Sequence, residues 1–269
     1  MALAPLLDRY DHVLLDLDGC VWVGERPTPG APEAIAELRA GGKSVAFLTN
    51  DPRRSPEEYV RKLWKVGVRA SLEEVVTVGA TIQHVLAQLR PRTETYVIGA
   101  PAIFPHVAEA GMRIVNRTPR AARAELVIIA GHDDLHFSEL RAATQAVLRG
   151  ATMIAAGRDR VFPREDGPWP GTGAIVAALE YATDQKAHVV GKPRPQMFRT
   201  ALDRLGPGSA LVVGDRHDSD LAGAAAARLD GAIVLTGVTT REEAEAASDP
   251  EPLAIADTLH GLVTVHETR

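Results

Sequence analysis

Short apolar runs that end in an acid or a glycine recur along the chain with helix-like segments between them, and this alternation constrains the fold more than any other feature. Strand–helix–strand succession argues for an α/β protein built on a mainly parallel sheet. His12 to Leu17 is an apolar run that emerges into acids and glycine, as a buried parallel strand does at its carboxyl end. A helix is predicted from Pro32 to Ala40, stopped by Gly41 and Gly42, and Ser44 to Leu48 is the next strand. Ser55, Pro56, Glu57 and Glu58 form a capping box that starts a helix running to Val66.

From Gly79 to Thr183 the texture changes. Strands are predicted near Thr95–Ile98, Arg113–Val115, Leu126–Ala130 and Thr152–Ala155, with helices near Pro101–Ala110 and Ser138–Arg149. The Gly/Pro-rich stretch from Gly167 to Gly173 and an Ala-rich helix from Ala174 to Ala182 end this section. Val189 to Gly191 then leads into a helix over Pro195–Leu205, a strand over Ala210–Val213, a helix over Leu221–Leu229 and a strand over Ala232–Leu235. The chain has 269 residues, which suits two domains. The reading is a Rossmann-like parallel-sheet core over residues 1–79 and 184–269, with an inserted α/β cap over 80–183.

Composition narrows the function classes. A net charge of −5 gives no basic field for nucleic acid or a membrane surface, and no apolar run is long enough to span a bilayer. The single cysteine, Cys20, excludes an internal disulfide and a multi-cysteine metal site, and the amino terminus has no leader-like character, so a cytoplasmic protein is expected. Cys20 reads as a small apolar filler, because neighbouring carboxylates disfavour its thiolate.

Open α/β sheets bind ligands outside the carboxyl ends of their strands, and four strand ends here carry reactive residue types. Asp16 and Asp18 lie two residues apart before Gly19, so strand alternation turns both carboxylates the same way. Thr49 and Asn50 supply a hydroxyl and an amide suited to anionic oxygens, or to an ordinary helix cap. Lys192, between Gly191 and Pro193, is a point charge for an anion or a plain surface turn. Asp215, Asp218 and Asp220 give three acids in six residues, a density of hard oxygen ligands that suits magnesium or an acidic helix-capping turn.

In this order the four segments resemble the motifs of the haloacid dehalogenase superfamily of phosphotransferases. Residues 16–22, 49–52, 170–173, 191–198, 214–220 and 234–238 are similar to the branch that contains nitrophenylphosphatases, phosphoglycolate and glycerol-phosphate phosphatases, pyridoxal phosphatase and ribonucleotide monophosphatase. About 30 residues separate Asp18 from Thr49, too few for a folded insert, whereas about 140 separate Thr49 from Lys192 and have room for one. That is the arrangement of this branch, whose α/β cap closes over the site and chooses the substrate.

The resemblance implies that Asp16 attacks phosphorus to form an aspartyl-phosphate, and that Asp18 protonates the leaving alkoxide and then activates water. It implies magnesium held by the Asp16 carboxylate, the Asp18 main-chain carbonyl and Asp215, with Asp220 in support and with Thr49, Asn50 and Lys192 on the phosphoryl oxygens. Dehalogenating relatives lack the second acid, so Asp18 favours a phosphatase. The expected partner is a small phosphorylated metabolite: glycerol phosphate, phosphoglycolate, a nucleotide or sugar phosphate, or 4-nitrophenyl phosphate. A homodimer formed through the cap is compatible with the branch.

Several positions depart from the pattern. Asp51 stands where many relatives have asparagine, either adding charge near the phosphate or capping the turn into the next helix. In the cap, Arg158, Asp159 and Arg160 stand where relatives often have an asparagine before the aspartate, either meeting a second anionic group or facing solvent. His132, in the His132–His136 segment after a cap strand, reads as part of a loop facing the substrate more than as a second metal site. A receiver-type signalling domain is half this length and places its acidic pair differently. A catalytically silent phospholigand-binding member of the same fold is the other alternative, against which the intact Asp16, Asp18, Lys192 and Asp215 set weighs.

Overall fold

The structure, a computed structural model, describes residues 2–164 and 167–265. The chain forms two compact units, one of Met1–Thr49, Pro56–Val76 and Lys192–Arg269, the other of Asn50–Ser55 and Thr77–Gly191.

The first unit is built on a six-stranded sheet in the order Ala254–Ala256, Asp230–Val234, Ala210–Gly214, His12–Asp16, Ser44–Thr49, Val75–Thr77. The first five pair in parallel, His12 opposite Ser44 on one side and opposite Ala210 on the other. All five residues of His12–Asp16 and of Ala210–Gly214 are buried, which is why both read as unbroken apolar runs instead of alternating ones. Helix Ala31–Ala40 buries Ala31, Ala34, Ile35 and Leu38, a spacing that puts them on one face. That face joins Val13, Leu15, Val45, Phe47 and Tyr59 in a single core. Where a helix was expected from Leu221, the chain first makes one π-helical turn, His217–Leu221, and only Ala222–Ala227 is α-helical. The short strands Val75–Thr77 and Ala254–Ala256 have too few residues to show a period of their own.

The second unit holds five parallel strands in the order His188–Val189, Thr152–Ala155, Leu126–Ala130, Glu94–Gly99, Arg113–Ile114. Helices Phe137–Val147 and Thr172–Thr183 contribute Ala143, Ala146, Val147, Ile175, Val176 and Leu179 to its core. This unit runs past residue 183, where the sequence alone put its end, because His188–Val189 still pairs with Ile154 and Ala155. It also takes in Asn50–Ser55, which the sequence reading left in the core. The Gly/Pro-rich stretch is half of an antiparallel hairpin, Val161–Arg164 against Gly167–Pro170.

One buried carboxylate ties three parts of this unit together. Glu180, on helix Thr172–Thr183, accepts from the Arg158 guanidinium, from Lys186 Nζ at 3.2 Å and from the Ala187 N–H at 2.9 Å. Burial pushes its pKa up, but these donors outweigh burial and hold it down at about 2. A depressed carboxylate stabilises the fold fully above its unfolded value and loses that contribution as pH falls toward the folded one. In urea unfolding measured from pH 6 to pH 3, Glu180→Gln is therefore less stable than the wild type at pH 6, and the difference shrinks as pH falls below about 4.5.

Candidate active site

The first strand delivers Asp16 to the sheet's carboxyl edge, where only 8 % of its surface is exposed. A tight turn follows: the Val21 and Trp22 N–H groups donate to Leu17 O at 2.9 and 3.1 Å, and Gly19 N–H donates to Trp22 O at 2.7 Å. Gly19 sits at φ 92°, a left-handed conformation in which a side chain is strained. The turn leaves Asp18 exposed, with its carboxylate accepting from the Trp22 indole at 2.8 Å. Trp22 is itself fixed: its ring is stacked near-parallel to Tyr59, and Lys62 Nζ lies 4.2 Å from its ring centre.

Three more side chains converge on Asp16. Lys192, 4 % exposed, donates to Asp16 Oδ1 and, at 2.6 Å, to Asp220 Oδ1. The π-helical turn brings Asp220 inward, its N–H donating to Arg216 O at 3.0 Å. Asp215 directly follows strand Ala210–Gly214, ahead of that turn, accepting from the Val238 N–H at 2.7 Å while Thr239 N–H donates to its main-chain carbonyl at 3.1 Å. Its other carboxylate oxygen, Oδ1, is buried and has no hydrogen-bond partner. Glycines make the room: a Cβ at Gly19 would lie 2.3 Å from Asp215 Oδ2, one at Gly237 1.9 Å from it, and one at Gly214 2.3 Å from the Asp220 carboxyl carbon.

The electrostatics follow from packing carboxylates out of water. Burial raises the pKa of Asp16 well above the carboxylate range, the Lys192 ammonium opposes that, and Asp220 and Asp215 add to it. Burial and the Asp220 charge push Asp215 up to about 7. Lys192 is driven down by burial but held above its ordinary range by Asp16 and Asp220. One ammonium among three buried carboxylates leaves an excess of negative charge that a divalent cation would offset.

The donor set fits magnesium. One oxygen each from Asp16, Asp215 and Asp220 lie within 4.8 Å of one another, all buried. These are hard oxygen ligands, as magnesium prefers, and the unspent Asp215 Oδ1 is a lone pair with no protein use. Asp218, counted among the clustered acids in the sequence, is exposed and pairs with Arg216 at 2.9 Å. Residue spacing could not separate it from Asp220, because the π turn decides which of the two faces inward.

Thr49 ends its strand buried in the first unit. Within the second unit, Asn50, Gly157, Asp159 and Gly191 meet: a Cβ on Gly157 would lie 2.9 Å from Asp159 Oδ2 and 3.6 Å from Asn50 Nδ2, and one on Gly191 2.5 Å from Asn50 Oδ1. Asp51 accepts from the Arg53 N–H at 3.2 Å and from its guanidinium at 2.8 Å, the turn-capping alternative. Arg158 pairs with Glu180, while its side chain stays 48 % exposed. His132 pairs with Glu139 at 3.3 Å and is in no metal cluster among the described residues. Sequence reasoning missed Trp22 as the holder of Asp18, and Thr236, whose hydroxyl donates to Gly19 O at 2.5 Å, and Gly237. Thr236 lies 217 positions from Gly19, whereas Gly237 abuts Asp215; the 234–238 segment that holds both carried a family resemblance in the sequence but no role for either residue.

Two family models match the chain: haloacid dehalogenase-like hydrolase over residues 13–113, and a HAD-hydrolase-like model over residues 189–262. D-glycerol 3-phosphate phosphatase of Mycobacterium tuberculosis is 38 % identical over 243 residues, covering 89 % of this chain and 67 % of the relative. Chronophin of Bos taurus is 33 % identical, covering 91 % and 88 %. A crystal structure of glycerol phosphate phosphatase from Mycobacterium tuberculosis in complex with magnesium superposes with a TM-score of 0.90 at 36 % identity, covering 97 % of this chain and 79 % of that one. The chain belongs to the haloacid dehalogenase-like hydrolases, in their phosphatase branch.

Proposed function

We propose that the chain hydrolyses small phosphomonoesters, glycerol phosphate and related polyol phosphates foremost, with Asp16 as the nucleophile. The observation that carries this is the buried Asp16–Lys192–Asp220–Asp215 cluster, with one unspent oxygen on Asp215. The likeness to a glycerol 3-phosphate phosphatase supports the substrate class.

A phosphomonoester needs charge neutralisation, an in-line nucleophile and a proton for its leaving oxygen. Magnesium, held by Asp16, Asp215 and the Asp18 carbonyl, supplies charge neutralisation at the phosphoryl group when bound. Lys192 fixes the Asp16 carboxylate through one oxygen, leaving the other to attack phosphorus and form an aspartyl-phosphate. Asp18, exposed and steered by the Trp22 indole, gives its proton to the departing alkoxide and then takes one from the water that hydrolyses the acyl phosphate. Thr49 and Asn50 hydrogen-bond the phosphoryl oxygens. Asp220 keeps Lys192 charged and in place. The second unit is read as the cap that selects the alcohol, and within it Asp159 lies beside Asn50. Self-association through that unit and a cytoplasmic location belong to the same reading; among the described residues no helix is long and apolar enough to cross a membrane.

Phosphate release is measured over glycerol phosphate, phosphoglycolate, nucleotide and sugar phosphates, with magnesium and with chelator. The wild type turns over at least one ester only with magnesium, and lack of metal-dependent turnover on every ester overturns the reading. Asp16→Asn loses more than roughly 10⁴-fold in kcat, as removal of a nucleophile does. Asp18→Asn loses about 10²–10⁴-fold, with the loss smaller for a good leaving group such as 4-nitrophenolate, which needs little protonation. Gly237→Ala forces Asp215 aside and raises the magnesium concentration for half-maximal activity about tenfold, while thermal unfolding shows the fold intact.

A further inference from the structure

The second unit has a crevice of its own that the proposed hydrolysis does not use. Its strand order places Glu94–Gly99 between Arg113–Ile114 on one side and Leu126–Ala130 on the other, so the chain leaves the first strand in one direction and returns in the opposite one. Sheets wound this way part their loops at that reversal, outside the carboxyl ends of the strands, and open a crevice there. The Ala100 N–H donates to Gly131 O at 2.7 Å, which marks the two strand ends. A cavity of about 770 Å³ lies at this point, within the range of small-molecule sites.

Its lining divides by chemistry. Tyr96, Phe104 and Pro101 give an apolar wall with two aromatic rings. Tyr96 is only 5 % exposed, and its hydroxyl has no hydrogen-bond partner among the described residues. Arg117, exposed and at φ 57°, also lines the cavity and has no partner for its guanidinium among the described residues; the neighbouring Asn116 amide accepts from the Val97 N–H at 2.9 Å and donates to the Val97 carbonyl at 2.8 Å. Asp134, exposed, has no partner for its carboxylate among the described residues, whereas Glu139 is spent on His132 and on the His136 N–H at 2.9 Å. The lining groups without a partner among the described residues are therefore the Tyr96 hydroxyl, one cation and one carboxylate.

We propose that this crevice is a second, non-hydrolytic binding site for a mononucleotide. A planar base packs on Tyr96 and Phe104 and hydrogen-bonds the Tyr96 hydroxyl. The ribose hydroxyls donate to Asp134, and the phosphate takes the Arg117 guanidinium. An unsubstituted sugar phosphate would leave the aromatic wall unused, and an amino acid would leave most of the volume empty.

Isothermal titration calorimetry of the full chain in chelator tests this, using the phosphonate analogue of AMP, whose P–C bond resists hydrolysis. Saturable binding is expected with a Kd below ~1 mM. Arg117→Gln weakens it at least roughly tenfold and Tyr96→Phe, which keeps the ring, about threefold to tenfold. Both variants hydrolyse 4-nitrophenyl phosphate as the wild type does. Absence of saturable binding overturns the proposal. Binding that survives Arg117→Gln and Tyr96→Phe but is lost in Asp16→Asn also overturns it, by placing the analogue at the phosphoryl site. Because the readout is direct binding without magnesium, its failure leaves the phosphatase assay standing, and the reverse holds too.

Discussion

A single buried ammonium organises the catalytic end of the first unit. Lys192 reaches Asp16 and Asp220 from outside the sheet, and without it two carboxylates would sit dehydrated and unpaired, each at a cost of several kcal/mol. The ion triad is satisfied internally on the lysine side and left one oxygen short on the Asp215 side. That asymmetry makes the cluster a receptor for a cation instead of a closed salt-bridge network. The surrounding glycines serve the same end, because each stands where a methyl group would collide with a carboxylate.

The secondary structure was legible where the physics is local. Leu126–Ala130 and Thr152–Ala155 could be bounded to the residue, since a buried parallel strand is an uninterrupted apolar run between polar breaks. His188–Val189 was not recognised as a strand and was counted with the core for the opposite reason: two residues carry no information about their pairing partner, and they sit a few positions before the lysine that belongs to the first unit. The hairpin over 161–170 was hidden by its prolines, which argue against a central strand but are tolerated in an isolated two-stranded ribbon.

The site shows the same division. Asp16, Lys192, Asp215 and Asp220 could be picked from residue type and position at strand ends, and the structure brings those four together. What the sequence could not weigh is orientation. Asp218 and Asp220 differ only by which side of one π turn they occupy, and Arg158 and Arg160 read alike although Glu180 captures one of them. Long-range supports such as Thr236 and Gly237 leave no periodic trace, because what matters about them is a hydroxyl or an absent Cβ at one point in space.

Asn116 has an effect beyond the crevice it borders. The strand at the end of the smaller sheet is only two residues long, and past it the N–H and C=O of Val97 would face outward unpaired. The Asn116 amide takes both, acting as a one-residue substitute for the missing strand. That stretch of the sheet margin consequently offers no open backbone ladder onto which another chain could zip, so contacts made by a second molecule there must be built from side chains.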